Sequence, residues 1–447
     1  MAGLMRYVSG IFKNKYVLSL LSNGSSAVIG MLTLTLLFRH LSLNDMGEYS
    51  FFLTVLLFFD TFRSGFLSTA FINFYAGEES VKKDKIAGAA WVIAICITSI
   101  FLLVNGIAYL FADRVEDSSI RLFLRYFGVI YLFSLPFFMA NCVLQARQQF
   151  DRLLALNLTN QGSLMVFIIV TILIGELTVV HVIYCYMASN LLSSGIAIVC
   201  RWTLIGKIRL ASKSYIRELF NFGKYSVGTS ITATLMNLSG TFIIKFLLGT
   251  ATLAVYNAGS KLIQIVELPL RSVVFAAMPT MSEAYNQGDR VGVLRMTQKY
   301  IGLFSFALLP VCVATIFFAN YAILLLAGEK YLSTEAPNLL RIYMIIMLLY
   351  PAERFLALTI DVFRLPKINF IKVVIMVAAG VLTCFVAVYI TKSIYAATLS
   401  SAVSIVIGLV FGFIALARNR LPIPLVGILQ VSSFEIQRLL KIARYRR

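Results

Sequence analysis

Residues 39–63 read RHLSLNDMGEYSFFLTVLLFFDTFR, and residues 245–271 read KFLLGTATLAVYNAGSKLIQIVELPLR. In each, an apolar helix closes on a basic residue, Arg39 or Lys245. A short turn then delivers a tyrosine, Tyr49 or Tyr256. A carboxylate, Asp60 or Glu267, follows 11 residues later inside the next apolar run. An ionised side chain at mid-bilayer costs at least about 2.5–3.5 kcal/mol on insertion scales. Repeating that cost in both halves points to a polar pathway built from two related bundles, the arrangement of a transporter.

The rest of the chain agrees with this reading. Of 447 residues, 60% are hydrophobic and 13% charged, with mean hydropathy +0.87, far more apolar than a soluble domain. Apolar runs of spanning length fall near 17–38, 48–74, 86–110, 122–145, 153–174, 178–200, 225–248, 254–279, 300–319, 338–360, 368–390 and 394–416. Each approaches the about 20 residues that a bilayer demands, so the expected fold is an all-α integral membrane protein of about twelve transmembrane helices. The basic start at Arg6, Lys13 and Lys15 reads as the flank of a retained first helix, since no cleavage site follows it.

Charge sets the expected orientation. With the N-terminus inside, 26 Lys and Arg fall in inner segments and 5 in outer loops, which puts both termini in the cytoplasm. The +19 net charge is then a topology signal and a match to anionic lipid, not a nucleic-acid footprint. The organisation expected is a six-helix bundle over 1–200, an inner linker over 201–224, a second six-helix bundle over 225–416 and a basic tail over 417–447. Within the linker, residues 215–220 read as a short amphipathic helix on the membrane surface. In the tail, the Ser432 and Glu435 capping box heads an interfacial helix. The six cysteines lack metal or disulfide spacing and read as small core residues.

Eight cations remain in or at the edges of the spans: Arg63, Arg125, Lys245, Lys261, Arg271, Arg341, Arg354 and Lys372. Arg125, Arg341 and Lys372 lie near helix ends, where snorkelling to the interface is expected. Three carboxylates accompany them, Asp60, Glu267 and Glu353. Asp60 with Arg63 and Glu267 with Arg271 have helical pairing distances, so structural ion pairs are one reading. The surplus of positive charge supports another, an anionic substrate held by arginine forks and lysine point charges. Pro136, Pro269, Pro310 and Pro351 and Gly65 mark expected helix breaks, several beside these charges. Polar runs at 226–230 and 237–241 read as close helix packing or as cavity lining.

The first half, from Leu21-Ser22-Asn23 through Arg39 to Tyr49 and on to Gly65, resembles the opening of the polysaccharide transporter family, the Wzx-type flippases. Phe222-Gly223, Lys245-Phe246-Leu247-Leu248-Gly249, the run from Tyr256 to Leu262, and Pro279 continue the resemblance. It implies membership of the multidrug/oligosaccharidyl-lipid/polysaccharide superfamily, with two six-helix bundles in a V around a central cavity, alternately open to each side. It further implies a polyprenyl-diphosphate-linked oligosaccharide as substrate, moved across the bacterial inner membrane for O-antigen, capsule or exopolysaccharide. Many relatives carry an Asp-Arg pair late in helix 7, where this chain has Thr241-Phe242 and then Lys245, so of that salt bridge the resemblance implies only the basic partner, displaced to Lys245.

The substrate-binding candidates are Arg39, Arg63, Lys245, Lys261, Arg271 and Arg354. Asp60, Glu267 and Glu353 are the candidates for coupling to protons or sodium. The chain shows no cofactor or metal motif, and a glycan polymerase working beside it stays open. A multidrug-extrusion antiporter of the same architecture is the main rival, although cationic drugs call for surplus carboxylates. A peptidoglycan-precursor flippase usually has two further helices. A membrane glycosyltransferase or polymerase would need catalytic groups in an outer loop, where residues 320–337 offer only Glu329 and Glu335; His40 and His181 form no dyad. The expectation is a transporter and not an enzyme. No repeated ring of residues suggests a channel.

Overall fold

The computed structural model describes residues 15–75, 79–419 and 421. Among these the chain forms fourteen α-helices. They are α1 (Lys15–His40), α2 (Leu43–Tyr75), α3 (Ser80–Tyr109), α4 (Ser118–Phe133), α5 (Leu135–Ala146), α6 (Phe150–Ile174), α7 (Val179–Val199), α8 (Lys213–Leu248), α9 (Thr250–Asn286), α10 (Arg290–Ala327), α11 (Ala336–Met347), α12 (Tyr350–Val362), α13 (Pro366–Thr391) and α14 (Ile394–Arg418). Backbone groups in lipid find no water, so spans close their hydrogen bonds within the helix. The α4 and α5 pair bends by 43° at Ser134 and makes one broken span. Taking α11 and α12, separated by Leu348 and Leu349, as another leaves the expected twelve. The protein is a multi-pass, all-α membrane protein.

Proline explains where spans break. Pro136, Pro337, Pro351 and Pro366 stand in the first turns of α5, α11, α12 and α13, where a missing N–H costs nothing. The breaks expected at Pro136 and Pro351 are therefore present. Those expected at Gly65, Pro269 and Pro310 are not: α2, α9 and α10 run through them without interruption. A proline inside a membrane helix forfeits one backbone bond, which the neighbouring turns can tolerate.

Several helices outrun their apolar segments. Residues 300–319 sit within a 38-residue α10, and 225–248 within a 36-residue α8. The linker residues from Lys213 onward belong to α8. Its expected amphipathic face exists, but Tyr215, Ile216 and Leu219 pack on the apolar core around Phe66 and Trp91 instead of lying on lipid. The tail helix expected at 432–440 lies outside the described residues.

Two compact units divide after Leu238, within α8. The N-terminal unit centres on Trp91, Phe71, Met139 and Val143. Residues 201–212 are pinned to it: the Trp91 Nε1 donates to the Thr203 carbonyl at 2.8 Å, and Lys207 pairs with Asp84 at 2.6 Å. Gly88 permits this approach, since a Cβ there would stand 2.8 Å from the Ala211 backbone nitrogen and closer to the Lys207 carbonyl oxygen. The C-terminal unit centres on Leu270, Met281, Phe355, Leu356 and Leu416.

Candidate functional site

In the N-terminal unit the repeated motif becomes a clamp. Asp60 and Arg63 lie three residues apart on α2, one helical turn, and Arg63 Nη2 meets Asp60 Oδ1 at 2.6 Å. Arg63 is only 2% exposed. Its other bonds go to the Tyr131 carbonyl at 3.3 Å and the Ser134 hydroxyl at 3.0 Å. The bend between α4 and α5 supplies these acceptors. The guanidinium also lies 4.2 Å from the Tyr131 ring centroid and 4.6 Å from that of Phe138. Such a group has its charge neutralised and its planar faces covered. Only Arg63 Nε lacks a hydrogen bond.

Asp60, with its side chain 44% exposed, borders a cavity of about 400 Å³ inside this unit. The cavity is lined by Asn141 and Gln145 of α5, Asn157, Asn160 and Gln161 of α6, and Asn190 of α7, with Tyr131 and Tyr186 among the aromatic walls. The spacings 157, 160, 161 and 141, 145 put these amides on one face of each helix. Asp60 and Arg63 are the only charged residues in its lining among the described residues. No sequence motif singled these amides out; a cluster of Asn and Gln at helical spacing inside an apolar run was the signal available.

The C-terminal unit carries a different balance. On α9, Lys261, Glu267 and Arg271 fall within about 120° of arc at 100° per residue. Glu267 Oε1 accepts from Arg271 Nε at 3.0 Å and from Arg354 Nη2 of α12 at 2.9 Å. Glu353 Oε1 accepts from Lys372 Nζ of α13 at 2.9 Å, and Arg354 Nε stands 3.6 Å from Glu353 Oε2. The result is a chain of charges joining three helices. Lys245 is buried at the end of α8, its ammonium 4.9 Å from the Phe246 ring centroid. Lys261 is half-buried and has no ion-pair partner among the described residues. Among the described residues of this unit, Glu267 and Glu353 are thus shared by Arg271, Arg354 and Lys372.

Both sequence-expected pairs, Asp60 with Arg63 and Glu267 with Arg271, are formed. Arg354 joins the second. Arg39 is exposed at the end of α1 and is not part of the cavity lining. Lys372 corrects an expectation: it does not snorkel but is wholly buried against Glu353, because that carboxylate stands one hydrogen bond away on α12. Arg125 and Arg341 do reach polar partners, Asp113 at 2.6 Å and Asn338 at 2.6 Å respectively. The two tyrosines of the repeat differ in role: Tyr49 is buried, whereas Tyr256 packs its ring edge to face on Tyr343 at 5.9 Å.

A helical membrane fold that repeats a carboxylate–arginine pair in two units, with polar space inside one of them, is the architecture of membrane transporters. The chain belongs to the polysaccharide biosynthesis protein family, which matches residues 36–336. No curated protein matches the sequence. Solved structures give the fold. The lipid II flippase MurJ in an inward closed conformation superposes with TM-score 0.74 at 12% identity, covering 96% of this chain and 93% of that one. An inward-facing multidrug resistance MATE family transporter of the MOP superfamily gives 0.69 at 13%, over 90% and 95%. A MOP superfamily transporter from Pyrococcus furiosus, described as having a binding pocket of reversed polarity that suggests a different function, gives 0.56 at 12%, over 89% and 98%. All three of these structures are of transporters or flippases.

Proposed function

We propose that this protein is a flippase that moves a polyprenyl-diphosphate-linked oligosaccharide from the cytoplasmic to the outer leaflet of the bacterial inner membrane by alternating access, with both termini in the cytoplasm. The observation that carries this reading is that, among the described residues of the C-terminal unit, Glu267 is shared by Arg271 and Arg354 while Lys261 has no ion-pair partner. Uncompensated positive charge in a membrane interior is costly, and an anionic ligand that pairs with it lowers that cost. A diphosphate suits the residues present: Arg271 and Arg354 offer planar donor forks, while Lys245 and Lys261 add point charges. Family membership supports a glycan as the rest of the cargo. Arg63 is reassigned from phosphate contact to positioning, because both its Nη atoms bond Asp60, Tyr131 and Ser134 and two aromatic rings cover its faces.

A carrier needs a ligand with different affinity for its two states, and pairing and unpairing of buried cations supplies such a difference. Asp60 is the carboxylate best situated for proton or sodium coupling, since it is exposed to the cavity. Transport in vesicles that responds to neither ion gradient would dismiss that role. The main test is translocation of a fluorescent polyprenyl-diphosphate oligosaccharide in proteoliposomes. Lys261→Ala and Arg354→Ala should each slow flipping at least about tenfold, a loss of about 1.4 kcal/mol of interaction. Full-speed flipping by both variants, or none by the parent protein, overturns the reading.

A further inference from the structure

The cavity of the N-terminal unit is poorly suited to a diphosphate. The two charged residues among its described lining neutralise each other at 2.6 Å, and no lysine is among that lining. What it offers instead is a wall of carboxamides from three helices. A carboxamide presents two N–H donors and an oxygen acceptor side by side. A sugar hydroxyl also donates and accepts, so adjacent hydroxyls of a pyranose match adjacent amides without any charge. The aromatic walls suit the apolar C–H faces of a sugar ring. At about 400 Å³ the space lies toward the lower end of small-ligand pockets, about 300–1,000 Å³, which fits one or two sugar residues and not a whole repeat unit.

One atom sharpens the assignment. Asn160 is 7% exposed, and its Nδ2 is buried without a hydrogen-bond partner. A buried unpaired amide N–H costs about 1–3 kcal/mol, so it is normally kept only where something bonds it. Its backbone carbonyl is occupied, accepting from Ser189 at 2.5 Å and Ser163 at 3.1 Å. The side chain is therefore held on a fixed backbone with its donors uncommitted. Asn190 and Asn141, by contrast, spend a donor on the Tyr186 and Phe137 carbonyls, at 2.8 Å and 3.1 Å.

We infer that the N-terminal cavity is a binding site for an uncharged sugar residue of the cargo, read by Asn160, Gln161, Gln145 and their amide neighbours. The diphosphate is left to the cations of the C-terminal unit. This deepens the proposed function and rests on it for the source of the sugar. Asp60 and Arg63 act as one neutral wall that keeps a second anion out.

The test uses the full-length protein in detergent and two probes, an uncharged sugar set (galactose and N-acetylglucosamine) and inorganic pyrophosphate. Saturation-transfer NMR should show at least one sugar binding, with pyrophosphate failing to displace it. Asn160→Ala should weaken that sugar at least fivefold, and Gln161→Ala, a less buried change that leaves folding intact, at least threefold. Neither should alter pyrophosphate binding, which Lys261→Ala should weaken. Absence of transfer to both sugars, displacement of the sugar by pyrophosphate, or unchanged sugar binding in both amide variants overturns the inference. Sugar binding that responds to the amides without any pyrophosphate binding keeps the sugar site and counts against the diphosphate reading, so the two fail separately.

Discussion

Replacing Glu353 by glutamine strands the Lys372 ammonium, which is wholly buried and bonded to Glu353 Oε1 at 2.9 Å. Removing one partner of a buried ion pair costs about 3–5 kcal/mol, because the remaining charge loses both solvent and counter-ion. Glutamine keeps an oxygen acceptor in place, and a hydrogen bond to a charged group is worth about 1.5–3 kcal/mol, so the loss should fall near the lower end, about 3 kcal/mol. Adding Lys372→Met removes the stranded charge while filling much the same volume, and the double variant should return to within about 1 kcal/mol of the parent. A coupling of at least about 2 kcal/mol between the two changes is the expected signature, larger by whatever Lys372→Met costs alone. Reversible unfolding in mixed dodecylmaltoside–SDS micelles, followed by circular dichroism, measures all four corners of the cycle. Strict additivity, with the double variant as unstable as the two singles combined, would refute the idea that these residues act as a buried pair.

Other perturbations have equally direct outcomes. Arg271 is 63% exposed at its side chain and Arg354 40%, while both bond Glu267; Arg271→Ala should therefore be tolerated in folding assays and Arg354→Ala should cost more, by about 1–2 kcal/mol, since it also unties Glu353. Gly88→Ala forces a Cβ against the backbone of residues 207–211 and should cost about 1–3 kcal/mol, detectable as faster limited proteolysis after Lys207. Thr297→Val removes the 2.7 Å bond to the buried Thr359 hydroxyl and should lower stability by about 1 kcal/mol in the same micelle titration, since Thr359 keeps its own donation to Phe355.

Much of the fold was legible because membrane helices announce themselves. Apolar length and the absence of an alternative hydrogen-bonding medium leave few choices, so the spans and the breaks at Pro136 and Pro351 could be read directly. The helix ends could not. The polar first turns of α8 and α10 are stabilised by packing and capping, as when Asp289 accepts from the Gly292 amide at 2.7 Å, and hydropathy is blind to both. Local spacing exposed the pairs Asp60–Arg63 and Glu267–Arg271. It could not expose Arg354 on Glu267 or Lys372 on Glu353, which join residues 87 and 19 positions apart in sequence. The amides of the cavity escaped notice for a related reason: each is unremarkable in its own helix, and only the packing of α5, α6 and α7 makes them one surface.

The duplicated motif also shows how one unit of sequence diverges in chemistry. Each unit places a carboxylate 11 residues past a tyrosine and follows it with an arginine one turn later. In the N-terminal unit that arginine is enclosed by two rings and three acceptors, which removes it from ligand chemistry and leaves a neutral space. In the C-terminal unit the equivalent carboxylate is shared by two arginines, so neither is fully neutralised, and Lys261 adds a further charge six residues earlier on the same helix. Hydrogen-bonding amides without net charge favour a polyol, and fractionally paired guanidinium groups favour a polyanion. A cargo whose sugar and diphosphate are joined in one head group presents both chemistries, which a cationic drug or a simple anion would not. Divergence of the two copies is thus the outcome expected if each retained the shared motif but specialised its surroundings for one part of an amphiphilic glycolipid.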